Sequence, residues 1–174
     1  ALDEIYWKRV KRENKHYATT QLGAFGSDLT TLAWFFEQLW VKPSRILTEG
    51  YQAVALSWAG FRLRALGRLG EAAQPMRASL QLNIDDENWR DAAINASNLS
   101  ELYLTSGEVA QAVRFGRDSM EYADRSGDGF QKESKRAAYA DALHAAGDFK
   151  SAARLYEESE KMQYERQPRY KFLY

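Results

Sequence analysis

The 174-residue chain carries 24 basic and 24 acidic side chains, so its formal charge is zero and no net field favours nucleic acid or an anionic membrane. With 45% apolar residues, 13% aromatic residues and a mean hydropathy of −0.59, its composition is that of a soluble globular protein able to bury one sizeable core. The lack of cysteine excludes disulfides, thiolate zinc sites and thiol chemistry, and the longest apolar run, 32–36, falls far short of the roughly 18 residues a membrane helix needs. With no basic-then-apolar leader at the start, a cytoplasmic setting is the expectation. A start at Ala1 and an aromatic end at Tyr170, Phe172, Leu173 and Tyr174 suggest a piece of a longer polypeptide.

Three prolines and eleven glycines interrupt a chain rich in Ala, Leu, Glu, Arg and Gln, which predicts an all-α fold. In chain order, helices are expected near 3–22 and 28–40. The second of these carries Leu29, Leu32, Trp34, Phe35, Phe36, Leu39 and Trp40, too apolar all round for a solvated face. Lys42-Pro43-Ser44 breaks the pattern. Further helices follow near 48–66, 69–82, 88–106, 109–125, 130–146 and 149–164, with Thr48, Asp86 and Asp128 as N-cap residues or near-caps.

The later helices repeat with a period of forty. Gly67, Gly107 and Gly147 fall in one column, followed by Leu69, Val109 and Phe149, by Ala72, Ala112 and Ala152, and by Ser79, Ser119 and Ser159, while Leu63, Tyr103 and Leu143 precede them in register. Each column has a physical role in a helix-turn-helix unit. Glycine reaches the left-handed conformation of a helix C-cap without a Cβ penalty. The large residue two positions later is expected to bury under the turn, and the small alanine lets the second helix approach the first. The predicted architecture is a single domain over 1–174, a right-handed superhelix of antiparallel helix pairs. It comprises a degenerate pair over 1–47, three forty-residue repeats at 48–87, 88–127 and 128–167, and the start of a truncated further helix at 168–174.

These columns resemble the tetratricopeptide repeat. Ser100, Tyr103, Gly107 and Ala112, and again Ala140, Gly147, Ala152 and Tyr156, match its succession of small residue, aromatic, turn glycine and alanine. The chain departs from that pattern in its period of 40 in place of about 34, in Leu143 where an aromatic is usual, and in Gly116 at the site of a large second-helix residue. Asn98-Leu99-Ser100 resembles the Asn-Leu-Gly signature of longer repeats found in peptide-binding adaptors and in sensor arms of signal-transduction NTPases. The segments 21–26 and 66–72 resemble the helical region downstream of NACHT- or AAA-type NTPase modules. The resemblance implies a protein-interaction or sensor module whose partners are proteins, peptides or neighbouring domains of the same polypeptide.

Enzyme signatures are missing: no Gly-x-Gly-x-x-Gly, no phosphate loop, no Gly-x-Ser-x-Gly and no His-Glu-x-x-His. The run 124–129 suggests a calcium loop only superficially, because oxygen ligands do not alternate and the twelfth position is Lys135. His16 and His144 lie in different units, so no metal and no cofactor is expected, and the chain reads as no enzyme. Lys8, Lys11, Arg12 and Lys15 share one face of the first helix, which offers a second alternative as a phosphate-gripping, nucleic-acid-binding surface; a solvated basic face or a surface for a neighbouring domain is favoured over it.

In stacked helix pairs the first helix of each pair lines the concave side. By the repeat resemblance this maps a groove to Ser57, Trp58, Phe61 and Arg64, then Ser97, Asn98, Glu101 and Thr105, then Asp141 and His144. Glu101 and Asp141 would repel a C-terminal carboxylate, whereas Asn98 suits a peptide backbone, Arg64 an acidic group and Trp58 or Phe61 an apolar anchor. A purely structural spacer is the alternative. Residues 81–130 hold 4 basic and 10 acidic side chains while 1–80 hold 11 and 7, so a partner of the central unit should be basic or polar and one of the first unit acidic.

Overall fold

The computed structural model describes residues 2–12 and 16–167. Its elements in order are a π-helix (Leu2–Val10), α1 (Tyr17–Thr20), α2 (Phe25–Ala33), β1 (Phe36–Gln38), β2 (Lys42–Pro43), α3 (Glu49–Ala65), α4 (Leu69–Asp85), α5 (Trp89–Thr105), α6 (Val109–Ser126), α7 (Gly129–Ala145) and α8 (Phe149–Arg166). They divide into two compact units, Ala1–Ser79 and Leu80–Tyr174. The expected further helix at 168–174 and Lys15 lie outside the described residues.

From α3 onward the observed helices fall within a few residues of those expected from the sequence, and their ends follow a rule finer than the forty-residue period. Gly67, Glu87, Gly107, Gly127 and Gly147 stand twenty residues apart, and all have φ between 53° and 84°. At four of these five ends the next amide reaches back to the carbonyl five residues earlier: Arg68 to Leu63, Asn88 to Asn83, Glu108 to Tyr103 and Asp148 to Leu143, at 2.8 to 3.0 Å. That bond satisfies a carbonyl that the helix end would leave orphaned. Glu87 performs this role without being glycine. New helices start on side-chain caps, with Asn88, Asp128 and Asp148 accepting from the amides of Asp91, Gln131 and Ser151. Asn88 thus replaces the expected Asp86, and Thr48 caps without a side-chain bond.

Within the pairs, small residues meet large ones. A Cβ on Gly60 of α3 would stand 2.5 Å from Met76 Cγ of α4, so the methionine fills the space the glycine leaves. In the next pair both corresponding positions are small, and the space is filled from the following helix: a Cβ on Gly116 of α6 would meet Tyr139 Cδ2 of α7 at 2.9 Å and Ser100 Oγ of α5 at 3.2 Å. Gly116 therefore makes room for the Tyr139 ring, which explains the missing large residue. Ala72, Ala112 and Ala152 are buried, as are Leu63, Tyr103 and Leu143. Ser79 and Ser159 donate across their helix pairs to the carbonyls of Ala53 and Glu133, both 26 residues back, while Ser119 bonds within its own helix to Gly116. Leu69 and Val109 are half-buried, but Phe149 is 62% exposed and sets its ring against the His144 edge at 5.0 Å. The expected burial under the turn therefore does not hold at Phe149.

The first fifty residues depart from expectation. In place of helices over 3–22 and 28–40, a π-helix and short α1 precede α2, which stops at Ala33, and the chain then folds into an antiparallel hairpin. Trp40 takes a left-handed φ of 61° in the hairpin turn and packs edge-on against Phe36 at 5.3 Å. A non-glycine residue with positive φ has no place inside an α-helix, so the conformation of Trp40 ends any helix through residue 40. The apolar side chains are not all covered either, since Trp34 is 86% exposed.

Candidate functional site

The residues expected to line a groove separate into three environments. On α3, Trp58 and Phe61 are already covered by the chain's own N-terminal elements. Trp7 of the π-helix stacks on Trp58 with ring centroids 5.5 Å apart and an interplanar angle of 12°, Tyr6 lies 5.2 Å from the same ring, and Phe25 of α2 lies 6.5 Å from Phe61. Arg64 sits over the Phe61 ring at 5.5 Å. Neither aromatic is an open anchor.

Beneath Trp58 lies a buried polar network that no periodicity announced. Arg62 falls on the same stripe as buried Ala55 and Ala59, a register that usually carries an apolar side chain. That position is the sequence signal that it needs a buried anion. Its Nε donates to Asp28 Oδ2 of α2, its Nη1 to the Trp58 carbonyl at 3.3 Å, and its Nη2 to the Tyr6 hydroxyl at 3.3 Å. Tyr6 in turn donates to Asp28 Oδ1 at 2.8 Å. Burial pushes the Tyr6 phenol well above its ordinary range.

Lys11, expected on an exposed basic face, is only 3% exposed. Its ammonium stands 3.7 Å from the Trp7 ring centroid and 4.2 Å from that of Trp58. Burial first, and the Arg62 charge second, push its proton affinity down to about 8 against the pull of Asp28. His16 is held below its ordinary value by burial and by the same Lys11 and Arg62. Lys8 pairs with Glu4, and Arg12 lies over the Tyr17 ring at 3.9 Å. Of the described members of the expected basic face, Lys11 is withdrawn into the core while Lys8 and Arg12 are exposed.

On α5 and α7, by contrast, polar positions remain accessible. Asn98, Glu101 and Thr105 follow one another at helical spacing on one face of α5; Asn98 is half-buried and Glu101 and Thr105 are exposed. The Thr105 hydroxyl bonds to the Glu101 carbonyl at 2.8 Å and so is spent on its own helix. Ser97 is 2% exposed and belongs to the core, a correction to its expected place in the groove. Facing this stripe from α7 is Lys135, which the sequence reading missed. Its ammonium is held below the usual lysine range mainly by burial, while Glu101 supports the charge and Arg90 opposes it.

Asp141 occupies the position in α7 that Glu101 occupies in α5, yet it is used differently. The Tyr156 hydroxyl of α8 donates to Asp141 Oδ1. The residue forty positions before Tyr156 is Gly116, which has no side chain to reach Glu101. Glu101 is exposed, and its charge supports that of Lys135. Asp141 belongs to the α7–α8 edge, and His144 stands with Phe149 at the following turn. Asp124, in the run that superficially suggested calcium, accepts two bonds from Arg136 at 2.9 and 3.0 Å. Among the described residues no group of three or more His, Asp or Glu side chains is placed to hold a metal, and no helix is long and apolar enough to cross a membrane.

Helices joined by turns of two or three residues, packed antiparallel in pairs with α5 also touching α7, resemble one solved structure over most of its length. It is the crystal structure of a single-residue variant of a Podospora anserina protein named for kinesin light chain and described as having nearly identical TPR-like repeats. The two share 16% sequence identity with a TM-score of 0.69, over 88% of this chain and 74% of that one. The fold is TPR-like. No family model matches the sequence, and no curated protein resembles it significantly. The likeness extends to the tetratricopeptide-like architecture of helix pairs and not to the NACHT or AAA association.

Proposed function

We propose that this TPR-like chain is a non-catalytic protein-interaction module that takes a polar or basic peptide segment on the α5–α7 face of its second unit. The reading rests on one observation. The exposed Glu101 of α5 acts electrostatically on Lys135 of α7, and half-buried Asn98 precedes Glu101 by three residues on the same helix. An amide can both donate to and accept from a peptide backbone, and a carboxylate in front of it selects a cationic or hydrogen-bond-donating side chain. The covered state of Trp58 and Phe61 removes the aromatic anchors expected on α3, so the second unit carries this proposal. A role as sensor segment of a larger polypeptide uses the same face for a neighbouring domain.

The test is a peptide-array screen with the whole chain, followed by titration of the captured peptides. Glu101→Lys is expected to weaken a basic peptide by about tenfold or more while leaving the melting temperature nearly unchanged, since the residue is exposed. Asn98→Ala should weaken it by a smaller factor. If both variants bind every captured peptide as the parent does, the module is a spacer at this face.

A further inference from the structure

We infer that the α2–α3 face of the first unit is a second binding site, for a helical segment presenting a tyrosine, an adjacent aromatic and a lysine four residues after it, and that residues 2–12 fill it in cis. The receptor half is complete without its occupant. Asp28 of α2 and Arg62 of α3 are both nine-tenths or more buried and pair with each other, and Arg62 also donates to the Trp58 carbonyl. Loss of the N-terminal segment would therefore strand no buried charge. The segment adds a hydroxyl that bridges both members of the pair, an indole stacked on Trp58, and an ammonium over two rings.

The described contacts of the occupant are concentrated in three side chains. Tyr6, Trp7 and Lys11 make the named contacts, while Glu4, Lys8 and Arg9 are exposed. Its helix is π-wound, a geometry found in short pieces that often mark functional sites. Non-glycine residues Arg12 and His16, on either side of 13–15, are in the left-handed region with φ of 54° and 45°, so the connection to α1 carries backbone strain. Lys11 has its ammonium against rings and no carboxylate within ion-pair reach among the described residues. A charged pair that is matched within α2 and α3, with an occupant that is strained at its junction and held through three side chains, is the arrangement of a tethered ligand, whose hold depends on the high local concentration that the tether supplies. An external segment with the same tyrosine, aromatic and basic spacing would take its place. This site does not depend on the α5–α7 face.

The experiment uses the full chain with a protease site introduced at 13–15, so that folding precedes cutting, and a fluorescein-labelled peptide of residues 1–12 read by anisotropy. After cutting and dilution, the remaining chain is expected to stay folded and bind the labelled peptide. The uncut chain should bind it at least about tenfold more weakly. The same peptide carrying Tyr6→Phe should bind the cut chain about tenfold more weakly, because the bond it loses ends on a charged pair. Equal binding to cut and uncut chains, no binding to the cut chain, or unfolding of the first unit once the fragment leaves would each overturn the inference. Hydrogen exchange on the uncut protein gives an independent measure: amides of 2–12 should exchange at least about tenfold faster than those of the α3 core, and equal protection would also overturn it.

Discussion

Each unit is tied by a carboxylate and a guanidinium, but the two ties are built differently. Asp28 and Arg62 in the first unit are 2% and 4% exposed, whereas in the second Glu133 is 7% and Arg166 is 32% exposed. The first pair joins elements that no repeat places side by side, and it carries further bonds to Tyr6 and to a backbone carbonyl. The second joins α7 to α8, which already pack over their lengths through Ala140, Leu143, Ala152 and Leu155. Regular helix pairs thus supply order by repetition, and the irregular unit supplies it through a single buried polar node. Disturbing that node should cost more than disturbing any one contact of the repeats.

The largest expected effect follows from it. Arg62→Met leaves the Asp28 carboxylate buried without its cation and should destabilise the first unit by about 3–5 kcal/mol. Arg166→Met takes two hydrogen bonds from the buried Glu133 carboxylate, but the arginine is itself partly exposed and water can replace it, so about 1–3 kcal/mol is expected. Urea unfolding followed by tryptophan fluorescence and by far-ultraviolet circular dichroism distinguishes the two. Equal losses would erase the contrast between the units.

A pH dependence confined to the first unit comes next. Folded, Lys11 releases its proton near 8, while in the unfolded chain it holds it to about 10.4. In that window the unfolded state binds more protons, so stability should rise with pH. The Tyr6 phenol acts oppositely: the folded chain keeps a proton that the unfolded one loses near 10, and stability should fall above that point. His16, held below its ordinary value by burial, Lys11 and Arg62, makes the unit lose stability as the pH drops below about 6.5. Asp28 and Arg62 are the other charged groups that face this cluster. Chemical denaturation between pH 6 and 11 should show the alkaline rise, and Lys11→Met should abolish it. A rise that survives in Lys11→Met would assign it to another group.

Smaller effects test how large residues fill the space beside the two buried helical glycines. Gly60→Ala drives a methyl group to within 2.5 Å of Met76 Cγ and 3.3 Å of the Met76 amide and the Ala72 carbonyl. Gly116→Ala meets Tyr139 and Ser100 at 2.9 to 3.3 Å. Overpacking of this kind costs about 1–3 kcal/mol. If size complementarity is the cause, Tyr139→Ala should reduce the penalty of Gly116→Ala and leave that of Gly60→Ala unchanged in a double-mutant cycle.

How much of this was legible in the sequence depended on whether a residue acted through a repeat. The TPR-like fold and the helices from 49 onward could be read because glycines, alanines and buried aliphatics recur at fixed spacing. The first unit hid because its contacts link residues 22, 34 and 56 positions apart, Tyr6 to Asp28, Asp28 to Arg62 and Tyr6 to Arg62, each occurring once. Periodicity says nothing about a contact made once. It also misled at the site: register placed Asp141 with Glu101, but Tyr156 captures Asp141, and Gly116 offers Glu101 no such hydroxyl. Ser97 and Lys11 were mistaken for surface for the same reason, since helical spacing gives a direction but not what stands in it.

The smallest effect concerns the one half-period position without glycine. Glu87 occupies the left-handed region at φ 53° and closes α4 with the same backward bond from the following amide that Gly67, Gly107 and Gly147 allow. A residue with a Cβ is strained there by about 1 kcal/mol, while glycine brings extra freedom to the unfolded chain that offsets part of the relief. Glu87→Gly should therefore stabilise by about 0.5 kcal/mol, and Gly107→Glu should destabilise by about 1 kcal/mol with the helices kept. Equal but opposite changes at the two sites would mean that conformation alone governs these turns. A loss of stability in Glu87→Gly would mean that the glutamate side chain contributes at the α4–α5 turn, and that the twenty-residue rule is written in backbone geometry with more than one residue type able to meet it.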